Sequence, residues 1–137
     1  AQVTLPTLAS YTYNLVANPT LFDVANNGSR LGLPALASLT FNDGQDHGIT
    51  ASAYAYDSGQ IDIHSLVTVN LGSSHRFALL VDTGALIDVS ALPSGQRLTL
   101  GIGPDASLVL PALASLTGAS LTVAGALNQR NGAGGLA

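Results

Sequence analysis

Residues 50–71 read T-A-S-A-Y-A-Y-D-S-G-Q-I-D-I-H-S-L-V-T-V-N-L, and the pairing assigned to this stretch decides the fold. Polar and apolar residues alternate over Thr50 to Tyr56 and again over Gln60 to Leu71, the period of a strand with one wet face and one dry face. Asp57-Ser58-Gly59 between them is turn chemistry, because Asp bonds its own backbone and Gly accepts positive φ. Working outward, strand-like runs recur at Tyr11 to Val16, Leu36 to Phe41, Phe77 to Val81, Leu86 to Val89, Arg97 to Ile102, Ser107 to Leu110 and Ser120 to Ala124. Turn clusters such as Asn26-Asn27-Gly28, Asn42-Asp43-Gly44, Pro93-Ser94-Gly95 and Gly103-Pro104-Asp105 separate them. Short strands at this spacing predict an all-β chain of about ten strands, arranged as an antiparallel sandwich, jelly roll or barrel.

Amphipathic helices need Glu, Lys, Arg and Gln on their wet face, and this chain has neither Lys nor Glu. Residues 111–129 are the one ambiguous segment. Pro111 suits the first position of a helix, and Leu113, Leu116, Leu121 and Leu127 give partial helical spacing. Strand is favoured there, with a short C-terminal helix as the alternative. Residues 1–130 read as a single β-rich domain and 131–137 (N-G-A-G-G-L-A) as a flexible tail. Within 1–16, Val3, Leu5, Thr7, Ala9, Tyr11, Tyr13 and Leu15 share one parity. That segment reads either as the first strand or as an assembly arm that pairs with a neighbour.

A short phrase occurs three times: L-P-T-L-A-S-Y-T-Y from Leu5, L-P-A-L-A-S-L-T-F from Leu33 and L-P-A-L-A-S-L-T from Leu110. The interval from Leu33 to Leu110 is far longer than that from Leu5 to Leu33. No constant period emerges, so the sequence predicts neither solenoid nor propeller; biased composition is the favoured account of the echo, with three equivalent edge or contact strands as the alternative.

Charged residues are 9% of the 137, eight Asp and four Arg, for a net charge of −4. Ordinary soluble domains carry roughly a quarter. An exterior covered by Ser, Thr, Asn, Gln and Gly is nearly uncharged, which suits burial against identical copies. The absence of Cys removes disulfides and thiolate metal sites. No apolar run approaches the roughly 20 residues of a membrane-spanning helix. No basic start precedes an apolar stretch, and the Ala1-Gln2 start without Met reads as a processed end.

Phe77 to Ala85, F-A-L-L-V-D-T-G-A, resembles the active-site turn of the retropepsin-type aspartic proteases. Leu66 to Gly72 stands where that family has the preceding strand and turn, and Leu92 to Gly103 is loosely similar to the stretch before its flap. The resemblance implies a homodimer in which two Asp82 carboxylates share a proton and activate water, with Thr83 and Gly84 shaping the turn. Read from the residues alone, Asp-Thr-Gly is a β-turn between two strands. Asp62 and His64 lie two apart on one strand face, His47 is next to Asp46, and His75 adds a third imidazole. Nothing fixes a third ligand, so no metal and no cofactor are expected. Asp43-Gly44-Gln45-Asp46 is too short for a calcium loop. Arg30, Arg76, Arg97 and Arg130 are too few for direct nucleic-acid reading.

These features together predict a non-catalytic, self-assembling structural subunit of a virus particle, as coat or decoration protein, or of a comparable extracellular filament. Its partners are other copies of itself and other virion proteins, with no membrane. The homodimeric protease using Asp82 is the alternative.

Overall fold

A computed structural model describes residues 1–14, 19–42, 48–72, 74–110, 112–123 and 126–128. Every described element is a strand. In chain order these are β1 (Gln2–Thr4), β2 (Ser10–Asn14), β3 (Thr20–Ala25), β4 (Arg30–Gly32), β5 (Ser38–Asn42), β6 (Thr50–Tyr56), β7 (Gln60–Asp62) and β8 (Thr68–Asn70). They continue as β9 (Arg76–Val81), β10 (Leu86–Asp88), β11 (Ser94–Gln96), β12 (Leu98–Ile102), β13 (Ser107–Val109), β14 (Ser115–Thr117), β15 (Ser120–Val123) and β16 (Ala126–Asn128).

No strand pairs with its neighbour in sequence. Each pairs with strands three places before or after it, giving β1-β4-β7-β10-β13-β16 on one side, β3-β6-β9-β12-β15 on another, and β2-β5-β8 with β11-β14 on the third. Every pairing is parallel. The chain is therefore a three-sided parallel β-solenoid, each coil laid on the one before. This overturns the expected antiparallel sandwich, jelly roll or barrel, and no helix occurs among the described residues of 111–129. The physical reason lies in the alternation. Parallel sheets are usually buried on both faces and lose the wet-and-dry period. A solenoid wall is a parallel sheet with one face inside and one in solvent, so it alternates as antiparallel strands do.

The turns are corners. At the first corner of each of five coils an amide donates to the carbonyl three residues back: Leu8 to Leu5, Leu36 to Leu33, Leu66 to Ile63, Leu92 to Val89 and Leu113 to Leu110. This places the three echoed phrases at one structural position. The coils differ in length. Along the first side the stacked residues run Gln2, Arg30, Gln60, Leu86, Ser107 and Ala126, so the step shortens toward the C-terminal end. Leu33 and Leu110 thus stand three unequal coils apart, which hid the repeat. The corner also splits Gln60 to Leu71 into β7 and β8, and residues 1–14 into β1 and β2, on different sides of the solenoid.

Inward residues stack in columns. Leu33, Ile63, Val89 and Leu110 are all at most 1% exposed, as are Leu36, Leu66, Leu92 and Leu113 in the next column. On the third side Leu79 and Leu100 stack above Ala53 and Phe22, all buried. A low-aromatic interior suffices at the first corner because each Leu, Ile or Val there meets a near-copy of itself one coil away, held at about 4.8 Å by the backbone ladder, while on the third side Ala51 and Ala53 make room for Phe77 and Phe22.

The second corner changes along the axis. Residues 15–19, 43–49 and 71–75 separate the second and third sides in the first three coils. Later only Arg97 stands between β11 and β12, and only residues 118 and 119 between β14 and β15. Arg97 takes φ 50° to turn that sharply. Where the corner shortens, the second side shifts, and β8 and β11 no longer join.

Candidate functional site

Asp82, Thr83 and Gly84 form a corner between the third side and the first side of the next coil. Thr83 (φ 40°) and Gly84 (φ 70°) are both left-handed, as are Asp57 (49°) and Ser58 (65°) one coil below. The Ala85 amide donates to the Asp82 carbonyl at 3.1 Å, and Asp82 Oδ1 accepts the Thr83 amide at 2.8 Å. Gly84 donates to Pro104 of the next coil, and Ser58 donates to Thr83. Corner geometry accounts for each of the three residues. A Cβ at Gly103 would meet the Asp82 carboxylate, so any other residue there would have to displace that side chain from its present rotamer.

Beside this corner, on the outer face of the third side, Tyr54 and Tyr56 stack with centroids 4.7 Å apart and planes at 27°. Tyr54, Leu80, Gly101 and Thr122 follow one another across successive strands. A dent of about 290 Å³ opens there, lined by Tyr54, Leu80, Gly101 and Thr122 among others. Burial, then the negative charge of Asp82, Tyr56, Asp57 and Asp23, pushes the Tyr54 phenol above its ordinary pKa. This aromatic pair went unread in the sequence, although Y-A-Y at strand period already put both rings on one face.

On the first side Asp62 accepts from Arg30 Nη2 at 2.5 Å and lies 2.5 Å from His64 Nδ1. Burial works to raise the Asp62 pKa, but hydrogen bonds from His64 and Arg30 outweigh it and hold the carboxyl below its usual value. His75 is buried, with its Nδ1 accepting the Ile49 amide at 3.2 Å. No three metal-ligating side chains gather among the described residues. His47, Asp43 and Asp46 lie outside the described residues, as do Arg130 and the 131–137 tail. The remaining arginines bind their own chain. Arg76 donates to the Gly118 carbonyl at 3.0 and 3.1 Å. Arg97 donates to His75 at 2.9 Å and Gly72 at 2.5 Å, tying the loop of the third coil to the shortened corner of the fourth.

Among the described residues, the first coil leaves interior positions open. Val3 belongs to the inward column Val3–Leu31–Ile61–Ile87–Leu108. Its exposure is 53%, against 1% at Ile61 and 0% at Ile87. Leu5, below the buried Leu33, is 47% exposed. Among the described residues nothing pairs with the outer edges of β1, β2 and β3. Interior surface and backbone hydrogen-bonding groups are thus presented together, which is the chemistry of a surface that accepts further β-structure.

Comparison of the chain with family models, with curated proteins and with solved structures gives no match.

Proposed function

We propose that this chain is a structural subunit that associates with copies of itself, in a virus particle or a comparable extracellular filament, and acts through shape and burial without catalysis. The observation that carries this reading is the open first coil, with Val3 and Leu5 turned to solvent from columns that are closed at Ile61, Ile87 and Leu108 and at Leu33. Covering them contributes about 1 kcal/mol each, taken as half of a full Val or Leu burial, and adds backbone bonds along three strand edges. The exterior supports the same reading. With only 9% charged residues, association removes few ions from water and its desolvation cost stays small.

Analytical ultracentrifugation and negative-stain microscopy test it. The expected result is a concentration-dependent series of higher species, weakened by Leu5→Lys, with the fold retained by circular dichroism. A single-chain species at high micromolar concentration overturns the reading.

A further inference from the structure

We propose that the outer face of β2, β5 and β8 is a water-ordering surface that binds ice. Its residues are Ser10, Thr12 and Asn14 on β2, Ser38, Thr40 and Asn42 on β5, and Thr68 and Asn70 on β8. The register aligns them in columns: Ser10–Ser38–Thr68, Thr12–Thr40–Asn70 and Asn14–Asn42. Between them Tyr11, Tyr13, Leu39, Phe41 and Val69 pack toward the core. Each outward position on these strands is therefore a hydroxyl or an amide, and none is charged.

The spacing of this array is set by the fold. Across the coils the columns repeat at about 4.8 Å, and along a strand every second residue repeats at about 6.6 Å. Tetrahedrally bonded water has its own spacings. With an O–H···O length of about 2.75 Å, second-neighbour oxygens are about 4.5 Å apart and layers repeat at about 7.3 Å along the perpendicular axis. The mismatch accumulates to about 0.6 Å over two coils and about 1.4 Å over two strand intervals, which rotatable side chains absorb. Neighbouring members already sit at bonding distance of one another: Asn70 Nδ2 donates to Thr40 Oγ1 at 3.2 Å.

Chemistry selects ice over other occupants. A sugar polymer would be met by aromatic rings, and here the rings are turned inward. An ionic ligand would need opposing charge, and this face has none. An ammonium or carboxylate would organise its own hydration shell and spoil the lattice match, so a charge-free face in a Lys-free, Glu-free chain fits this use.

The test is ice recrystallisation and crystal shaping with the purified full chain. Faceted crystals and suppressed coarsening are expected for the wild type. Thr40→Lys and Thr12→Lys each put a long, strongly hydrated ammonium in the middle column and should abolish the effect. Gln60→Lys, on the first side, should leave it unchanged. Circular dichroism checks that each variant is folded. Wild-type protein without effect on ice overturns the proposal, and so does full activity in folded Thr40→Lys and Thr12→Lys. Loss of activity in Gln60→Lys equal to theirs also overturns it, because a particular face would then not be responsible. Self-association is read separately by sedimentation, so failure here leaves the open-coil reading standing.

Discussion

Ile87 and Val3 occupy the same inward column three coils apart, and replacing each by Ala should give very different costs. Ile87 is fully buried between Ile61 and Leu108. Ile87→Ala removes three carbon groups, about 2.4 kcal/mol of transfer free energy at roughly 0.8 kcal/mol per group. The cavity adds to this, because neighbouring coils are pinned by the backbone ladder and cannot slide in. The total is about 4 kcal/mol, in the upper part of the range for such deletions. For a chain of this size that lowers Tm by about 12 °C. Val3→Ala removes two carbon groups that are already half in water, so its cost is about 0.8 kcal/mol. Urea unfolding followed by far-ultraviolet circular dichroism, at concentrations where the protein is a single chain, measures both. Equal costs would refute the open first coil. A cost below about 1 kcal/mol for Ile87→Ala would refute the closed interior column altogether.

Three further outcomes follow from the corners and the side faces. Gly59→Ala would drive a Cβ into the Val24 carbonyl and to 3.1 Å from the Tyr56 oxygen, both backbone atoms. It should cost about 2–3 kcal/mol, whereas Gly28→Ala, at φ 82° with open space around it, should cost about 1 kcal/mol; calorimetry separates them. Because the Asp62 pKa is lowered in the folded state, its stabilisation is complete above the unfolded value, close to 3.8, and is lost as pH falls through the lower folded value. The difference in urea midpoint between wild type and Asp62→Asn should therefore vanish in strong acid, and a constant difference would contradict the His64 and Arg30 contacts. Arg97→Ala removes the bonds to His75 and Gly72, and hydrogen exchange should quicken near β8, β9 and β12 while β1 to β6 keep their protection. Uniform quickening would show that the coils do not behave as nearest-neighbour units.

Particular residues show how much was legible in advance. Thr50–Tyr56 is a strand with the bounds read from its alternation, because a two-residue period needs only local sterics and one buried face. The L-P-A-L-A-S phrase was visible as an echo, and its Leu residues are corner and column positions in every coil where it stands. Its meaning was hidden by the varying second corner, long in the early coils and cut to one or two positions in the later ones. The Tyr54–Tyr56 pair was legible from parity. The Ser/Thr/Asn array was not, because Thr12, Thr40 and Asn70 become neighbours only when coils of unequal length are stacked.

The sequence by itself determined the wet-and-dry alternation of runs such as Thr50–Tyr56, many of the turn clusters, and that the exterior holds almost no charge; it did not mark β3, β4 or the corner inside Gln60 to Leu71. Only the tertiary structure decided which strands pair. A turn closed by an amide bonding three residues back can reverse a strand onto its predecessor or swing it to another wall, and both outcomes satisfy the same local chemistry. What separates them is burial summed over whole coils. Stacking buries Leu36, Leu66, Leu92 and Leu113 in one column although each belongs to a different coil, and no local window of sequence contains that sum.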